Sequence, residues 1–215
     1  MYSKEESLET LQDIKNMMER SSRFISLSGL SGIAAGICAL AGAWVAQIHI
    51  EQYKSAMISG KSSNDIFNFS QMGLLQELII TAAITFVAAF VFAFVFTYVR
   101  SKKTGIPLWG LTAKRLLINT IIPMVVGGMV ILRMMQLGDY ELIGSSCLVF
   151  YGLALVNASK YTFDEIRYLG YAELVLGLVS FWVIGNELYF WAAGFGVMHI
   201  IYGMVMWWKY ERVKR

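Results

Sequence analysis

Two side chains carry chemistry into sequence that is otherwise almost free of charge. Glu173 interrupts an apolar run, and His199 sits in the next one. An ionised carboxylate at the centre of a membrane span costs roughly 2.5–3.5 kcal/mol even on the permissive insertion scale. Glu173 must therefore be neutral, paired or beside water. His199 lies nine residues before Trp208, the inner end of its run. At 1.5 Å rise per residue the two groups differ in depth by on the order of 6 Å. Tyr202, one turn further along, is closer still to the depth of Glu173. The spacing predicts Glu173 hydrogen-bonded to Tyr202 or His199. Such a cluster either clamps two helices together or titrates, taking a proton, an ion or a substrate. It lacks the third ligand that a recognisable metal set requires, so no metal and no cofactor are expected.

Two further groups stand at the ends of the runs. Glu77 opens one and Arg133 closes another at the same expected depth, which predicts an outer ion pair. Arg100, Lys102, Lys103, Lys114 and Arg115 flank the apolar Ile106-Pro107-Leu108-Trp109. That pattern suits a segment lying in the interface, its cations drawn to anionic headgroups by about 1 kcal/mol each. The plainer reading of these five is that they set topology.

The elements that must hold these groups follow from the uncharged runs. The chain has 215 residues, 57% hydrophobic and 15% charged, with a mean hydropathy of +0.56. That balance excludes a disordered chain and an ordinary soluble enzyme domain. Six runs are long enough for a helix to cross ~30 Å of hydrocarbon: about 24–49, 78–99, 116–137, 142–159, 168–186 and 188–208. They are continuous, without the alternation of a β-barrel, and a helix satisfies its backbone within one segment. The expected fold is an all-α integral membrane protein, a bundle of six transmembrane helices. An amphipathic leader helix precedes it at 1–23, with Leu8, Leu11, Ile14 and Met18 at helical intervals. A basic tail, 209–215, follows it.

Orientation comes from the cations. With six spans, fifteen of the eighteen Lys and Arg fall on the side of the leader, the second and fourth loops and the tail. The bias predicts both termini in the cytoplasm of a cell inner membrane. Small residues repeat every four positions in the first span (Ser28, Gly32, Gly36 and Ser31, Ala35, Ala39, Ala43). Such rows let helix backbones approach, within the bundle or against a second copy or a partner membrane protein. Pro123 and Gly127-Gly128 predict a kink or a tight crossing in the third span. Cys38 and Cys147 read as small buried apolar residues.

No phosphate-binding loop, nucleophile elbow or dense metal spacing occurs, and nothing points to nucleic acid. The segment Lys160-Tyr161-Thr162-Phe163-Asp164-Glu165-Ile166-Arg167 and the end Trp207-Trp208-Lys209-Tyr210-Glu211-Arg212 resemble small uncharacterised polytopic inner-membrane proteins of bacteria. The resemblance implies a multi-pass membrane protein and no particular activity. The expectation is a non-enzymatic subunit, sensor or scaffold in the lipid bilayer. The alternative is a small-molecule or ion transporter or channel with its polar site near Glu173 and His199.

Overall fold

The computed structural model describes residues 27–58, 71–105 and 108–212. The expected leader helix, 1–23, and the last three residues of the basic tail lie outside the described residues. Helix dominates and no strand occurs among the described residues. The helices are α1 (Gly29–Ile58), α2 (Gln71–Thr104), α3 (Leu111–Leu137), α4 (Ile143–Ala158) and α5 (Glu165–Ser180). Short 3-10 turns, Tyr140–Leu142 and Ser159–Tyr161, flank α4. The last rod, α6, covers Glu187–Tyr210. It contains a π-helical stretch, Ala192–Met198, between α-helical Glu187–Trp191 and His199–Tyr210.

Five rods are long and apolar enough to cross a membrane: those over α1, α2, α3, α6 and the stretch Tyr140–Tyr161 that contains α4. The apolar run 168–186 is different. Its helix stops at Ser180, and the chain turns through Phe181–Asn186, with Gly185 at φ 88°. Sixteen residues rise only about 24 Å, so α5 by itself falls short of a full crossing. A charge count could not find this end, because the turn holds no charged residue.

Packing explains where the small residues lie. α1 sits between α2 and α6, and α4 between α3 and α5. The rows on α1 are spent inside the chain. A Cβ on Gly36 would come within 2.6 Å of the Gly196 carbonyl oxygen, and one on Gly203 within 2.6 Å of the Gly29 carbonyl oxygen. α4 and α5 meet the same way: a Cβ on Gly152 would be 2.8 Å from the Gly170 oxygen, and one on Gly170 2.9 Å from the Gly152 oxygen. α3 stays helical through Pro123, and its tight crossing is at Gly127, where a Cβ would meet Phe150 at 2.5 Å; Gly128 faces open space. Gly138, at φ 83°, ends α3, and the N–H of Asp139 closes the cap on the Met134 carbonyl at 3.0 Å. α2 and α3 show broad apolar flanks, with Ile84, Phe86 and Phe90 on one and Ile118, Ile122 and Met129 on the other.

Candidate functional site

Glu173 is fully buried, in the middle of α5. Its burial is a consequence of Gly170 and Gly177 on the same face. With no side chains there, α5 settles against the α4 backbone and closes over the carboxylate. The opposing wall is the π-helical stretch of α6. A Cβ on Gly194 would collide with Glu173 Oε2, and would stand 2.5 Å from Leu148 Cδ2. Glycine at 194 is thus what leaves room for the carboxylate. A π-helical turn widens the helix and leaves its backbone groups less regularly paired, a geometry often found at functional sites.

His199 follows that turn and is itself buried. Its Nδ1 lies 3.1 Å from the Gly194 carbonyl oxygen and 3.4 Å from Glu173 Oε1. A carbonyl can only accept, so Nδ1 carries a proton. In the neutral imidazole Nε2 is then the acceptor, and the Tyr151 hydroxyl donates to it at 2.8 Å. The Tyr151 ring packs on Phe195, centroids 4.9 Å apart, and Phe195 packs in turn on Trp191 at 4.9 Å.

Among the described residues neither oxygen of Glu173 has a hydrogen-bond partner. The 3.4 Å approach of His199 is within reach of an ion pair, but its N–H is aimed at the Gly194 carbonyl. A buried polar group left without a partner costs about 1–3 kcal/mol, more when charged. The arrangement can relieve that cost in two ways. The carboxyl can hold a proton, or His199 can take a second proton and pair with the carboxylate. Both are proton chemistry in a dry setting. Among the described residues no group of His, Cys, Asp or Glu is arranged to hold a metal ion.

The other expected residues are placed differently. Tyr202 does not join Glu173. It packs against the cluster of Leu155, Ala158, Ile166 and Leu169, as Tyr151 on α4 also does, and of the two it is Tyr151 that bonds His199. Depth along a helix axis ranked Tyr202 first, but the helix face decides contact. Tyr151 left a signal of its own, a tyrosine in mid-run, away from the interfacial belts where that residue is expected. Glu77 and Arg133 are not brought together: Arg133 donates to Gln136 Oε1 at 3.2 Å, and α2 and α3 flank different partners. Equal depth does not make two helices neighbours.

Of the five basic residues, Lys102, Lys103, Lys114 and Arg115 are exposed. Arg100 instead turns inward. Its Nη1 donates to Glu211 Oε1 at 2.7 Å and to the Leu27 carbonyl. Glu211 also accepts from the Gly29 N–H at 2.6 Å and from the Ser28 hydroxyl at 3.1 Å. It thereby caps the N-terminus of α1, where a carboxylate is favoured, and ties it to the ends of α2 and α6. A second knot joins α5 to α6: Lys209 Nζ bonds Glu165, and the Tyr210 hydroxyl donates to the same carboxylate at 3.0 Å. Burial pushes the Glu165 carboxyl up, but the hydrogen bonds from Lys209 and Tyr210 outweigh it and hold the group below the ordinary carboxylate value.

Compared with known protein families, with characterised proteins and with solved structures, the chain matches none of them.

Proposed function

We propose that this chain is a non-enzymatic, six-span protein of a cell inner membrane, with both termini in the cytoplasm, that carries protons or a proton-coupled small solute through Glu173. The carrying observation is the carboxyl group at 0% exposure with neither oxygen hydrogen-bonded, facing His199 at 3.4 Å. Ionisable side chains at membrane depth are costly and are by default functional. The segregation of basic residues supports the orientation. For the sixth crossing, the support is the apolar run 168–186, which continues past the end of α5.

The test is Glu173→Gln in proteoliposomes carrying an imposed pH gradient and a trapped pH-sensitive dye. The variant keeps the shape and removes the exchangeable proton. Expected is loss of proton flux with an unchanged elution profile and thermal midpoint. Flux equal to that of the unaltered protein would end this reading.

The second reading is a subunit, sensor or scaffold that works through a partner membrane protein or a second copy. The apolar flank of α2, with Ile84, Phe86, Val87 and Phe90 all exposed, favours it. Because Gly29, Gly32 and Gly36 already face α6, self-association would use that flank and not the small-residue rows. Native mass spectrometry of the detergent-solubilised protein separates the two: a stable dimer or hetero-complex supports this reading.

A further inference from the structure

The helices divide into two packed groups. α2 packs on α1 and α1 on α6; α3 packs on α4 and α4 on α5. Two of these interfaces bring backbone to backbone, through Gly29, Gly36, Gly196 and Gly203 in the first group and Gly152, Gly170 and Gly177 in the second. The first group is further bound by the Arg100–Glu211 pair and the cap on α1, and the second by the Ser145 hydroxyl donating to Ser180 Oγ at 2.8 Å. Between the groups the packing is thinner and of another kind. Polar and aromatic side chains bridge it: Glu173 to His199, Tyr151 to His199, Glu165 to Lys209 and Tyr210, and Phe163 on Tyr210 with ring centroids 4.5 Å apart.

We infer that α1, α2 and α6 form one rigid body, that α3, α4 and α5 form another, and that the proton on Glu173 sets how the two are seated along the seam between them. The inference rests on the proposed exchange of a proton at Glu173. The groups facing that carboxyl are His199 from α6 and Tyr151 from α4. With a neutral carboxyl, His199 is satisfied by Gly194 and Tyr151 and nothing draws the bodies closer. When the proton leaves Glu173, the carboxylate attracts the Nδ1–H across the seam and competes with the Gly194 carbonyl for it. The π-helical stretch, whose own carbonyl is the competitor, is the part of α6 that must adjust. The glycine interfaces set backbone against backbone too closely to admit even a Cβ, so each body keeps its internal geometry and the change falls on the seam.

Spin-label distances in liposomes test this. Cys38 and Cys147 are first replaced by alanine, and labels are then placed in pairs. Gln52 with Gln136 spans the seam at the outer end, and Lys103 with Lys114 spans it at the inner end. Gln52 with Gln76 stays within one body. All five side chains are exposed. Between acid and alkaline pH the two spanning distances should change by on the order of 2–5 Å, the scale of helix shifts at packed interfaces. The pair within one body should not change. In Glu173→Gln the spanning distances should remain at their acid values at every pH. Should that variant not fold, a hydrophobic carbodiimide, which modifies a protonated buried carboxyl, replaces it, with the modified residue located by mass spectrometry. Spanning distances that ignore pH, while proton flux remains sensitive to Glu173→Gln, would overturn the inference and leave the proposed function standing. A pH-driven change that persists in the variant, or one equally large within a body, would also overturn it. Flux insensitive to Glu173→Gln would instead remove the reading beneath it.

Discussion

The α1–α6 interface and the α5–α6 interface share a helix and differ in nearly everything else. Along α1 the contact is glycine against backbone, with Gly29, Gly32 and Gly36 facing Gly196, Gly203 and the carbonyls around them. Along α5 the contact is made by charged and polar side chains, Glu173 with His199 and Glu165 with Lys209 and the Tyr210 hydroxyl. In lipid the first kind of contact gains dispersion over a long seam and weak Cα–H···O contacts. Its backbones are too close to admit even a Cβ, which leaves little room for another arrangement. The second kind depends on where protons sit. The lesson is that one face of α6 is fixed by close backbone contact while the other is left adjustable by the chemistry of its side chains.

The sharpest way to break the comparison is to put a side chain into the fixed face. Gly203→Leu places its Cβ 2.6 Å from the Gly29 carbonyl oxygen and the Ile33 nitrogen. Overpacking costs about 1–3 kcal/mol where side chains can yield, and here backbone is the obstacle. The expected result is aggregation or loss of a cooperative thermal transition in detergent. Gly128→Leu, into open space, should leave the transition where it was. If both variants fold alike, the glycine interface is not what holds α1 to α6.

On the adjustable face the effect should be smaller. His199→Ala leaves the Tyr151 hydroxyl without its acceptor and removes the imidazole beside Glu173, a loss of roughly 1–3 kcal/mol. The protein should still fold, with a lowered thermal midpoint read by intrinsic fluorescence. Tyr151→Phe should lower it less, since one neutral hydrogen bond is worth about 0.5–1.5 kcal/mol. An equal loss in the two variants would mean that the cluster acts through packing alone.

Glu211→Gln tests the inner end of the fixed group. It keeps the acceptor for Gly29 but removes the charge that Arg100 and the α1 N-terminus both use. N-terminal charge effects run about 0.3–1 kcal/mol, and the partly buried arginine loses its counter-ion as well. A shift in thermal midpoint smaller than that of His199→Ala is expected, and added salt should diminish it.

What the residues disclosed in advance follows from which physical signals are one-dimensional. Glu173 and His199 stood out because a charge or an imidazole is anomalous in an apolar run, and that anomaly needs no knowledge of neighbours. The rows of small residues on α1 were visible for the same reason. Contacts across helices were not. Tyr202 and the Glu77–Arg133 pair follow from depth alone, which fixes one coordinate and leaves the helix face and the lateral order open. Tyr151 lies on α4, and nothing in the sequence says that α4 supplies the third wall of the site. The end of α5 at Ser180 was hidden because Phe181–Asn186 are as apolar as helix, and the π-helical stretch was hidden because nothing but its glycines marks it. Arg100 belonged to a basic cluster by sequence, and only Glu211, more than a hundred residues away, separates it from its neighbours.

The smallest expected effect lies at the end of the adjustable face that carries Glu165. Glu165 binds Lys209 and Tyr210 as a carboxylate, and those bonds hold its proton affinity below that of an ordinary carboxyl. A group whose affinity is depressed on folding adds stability that is complete above the unfolded carboxylate value. That stability is lost as pH falls through the folded value. Glu165→Gln cannot lose a proton and should show no such dependence. Near neutrality the unaltered protein should therefore melt at the higher temperature, and the gap should close as pH drops through the acidic range. The pair is partly solvated, so the gap stays within the ~1 kcal/mol typical of exposed pairs. A gap that persists at acid pH would show that Glu165 holds α5 to α6 by shape and hydrogen bonding rather than by charge, and the seam would then be less adjustable at its inner end than at Glu173.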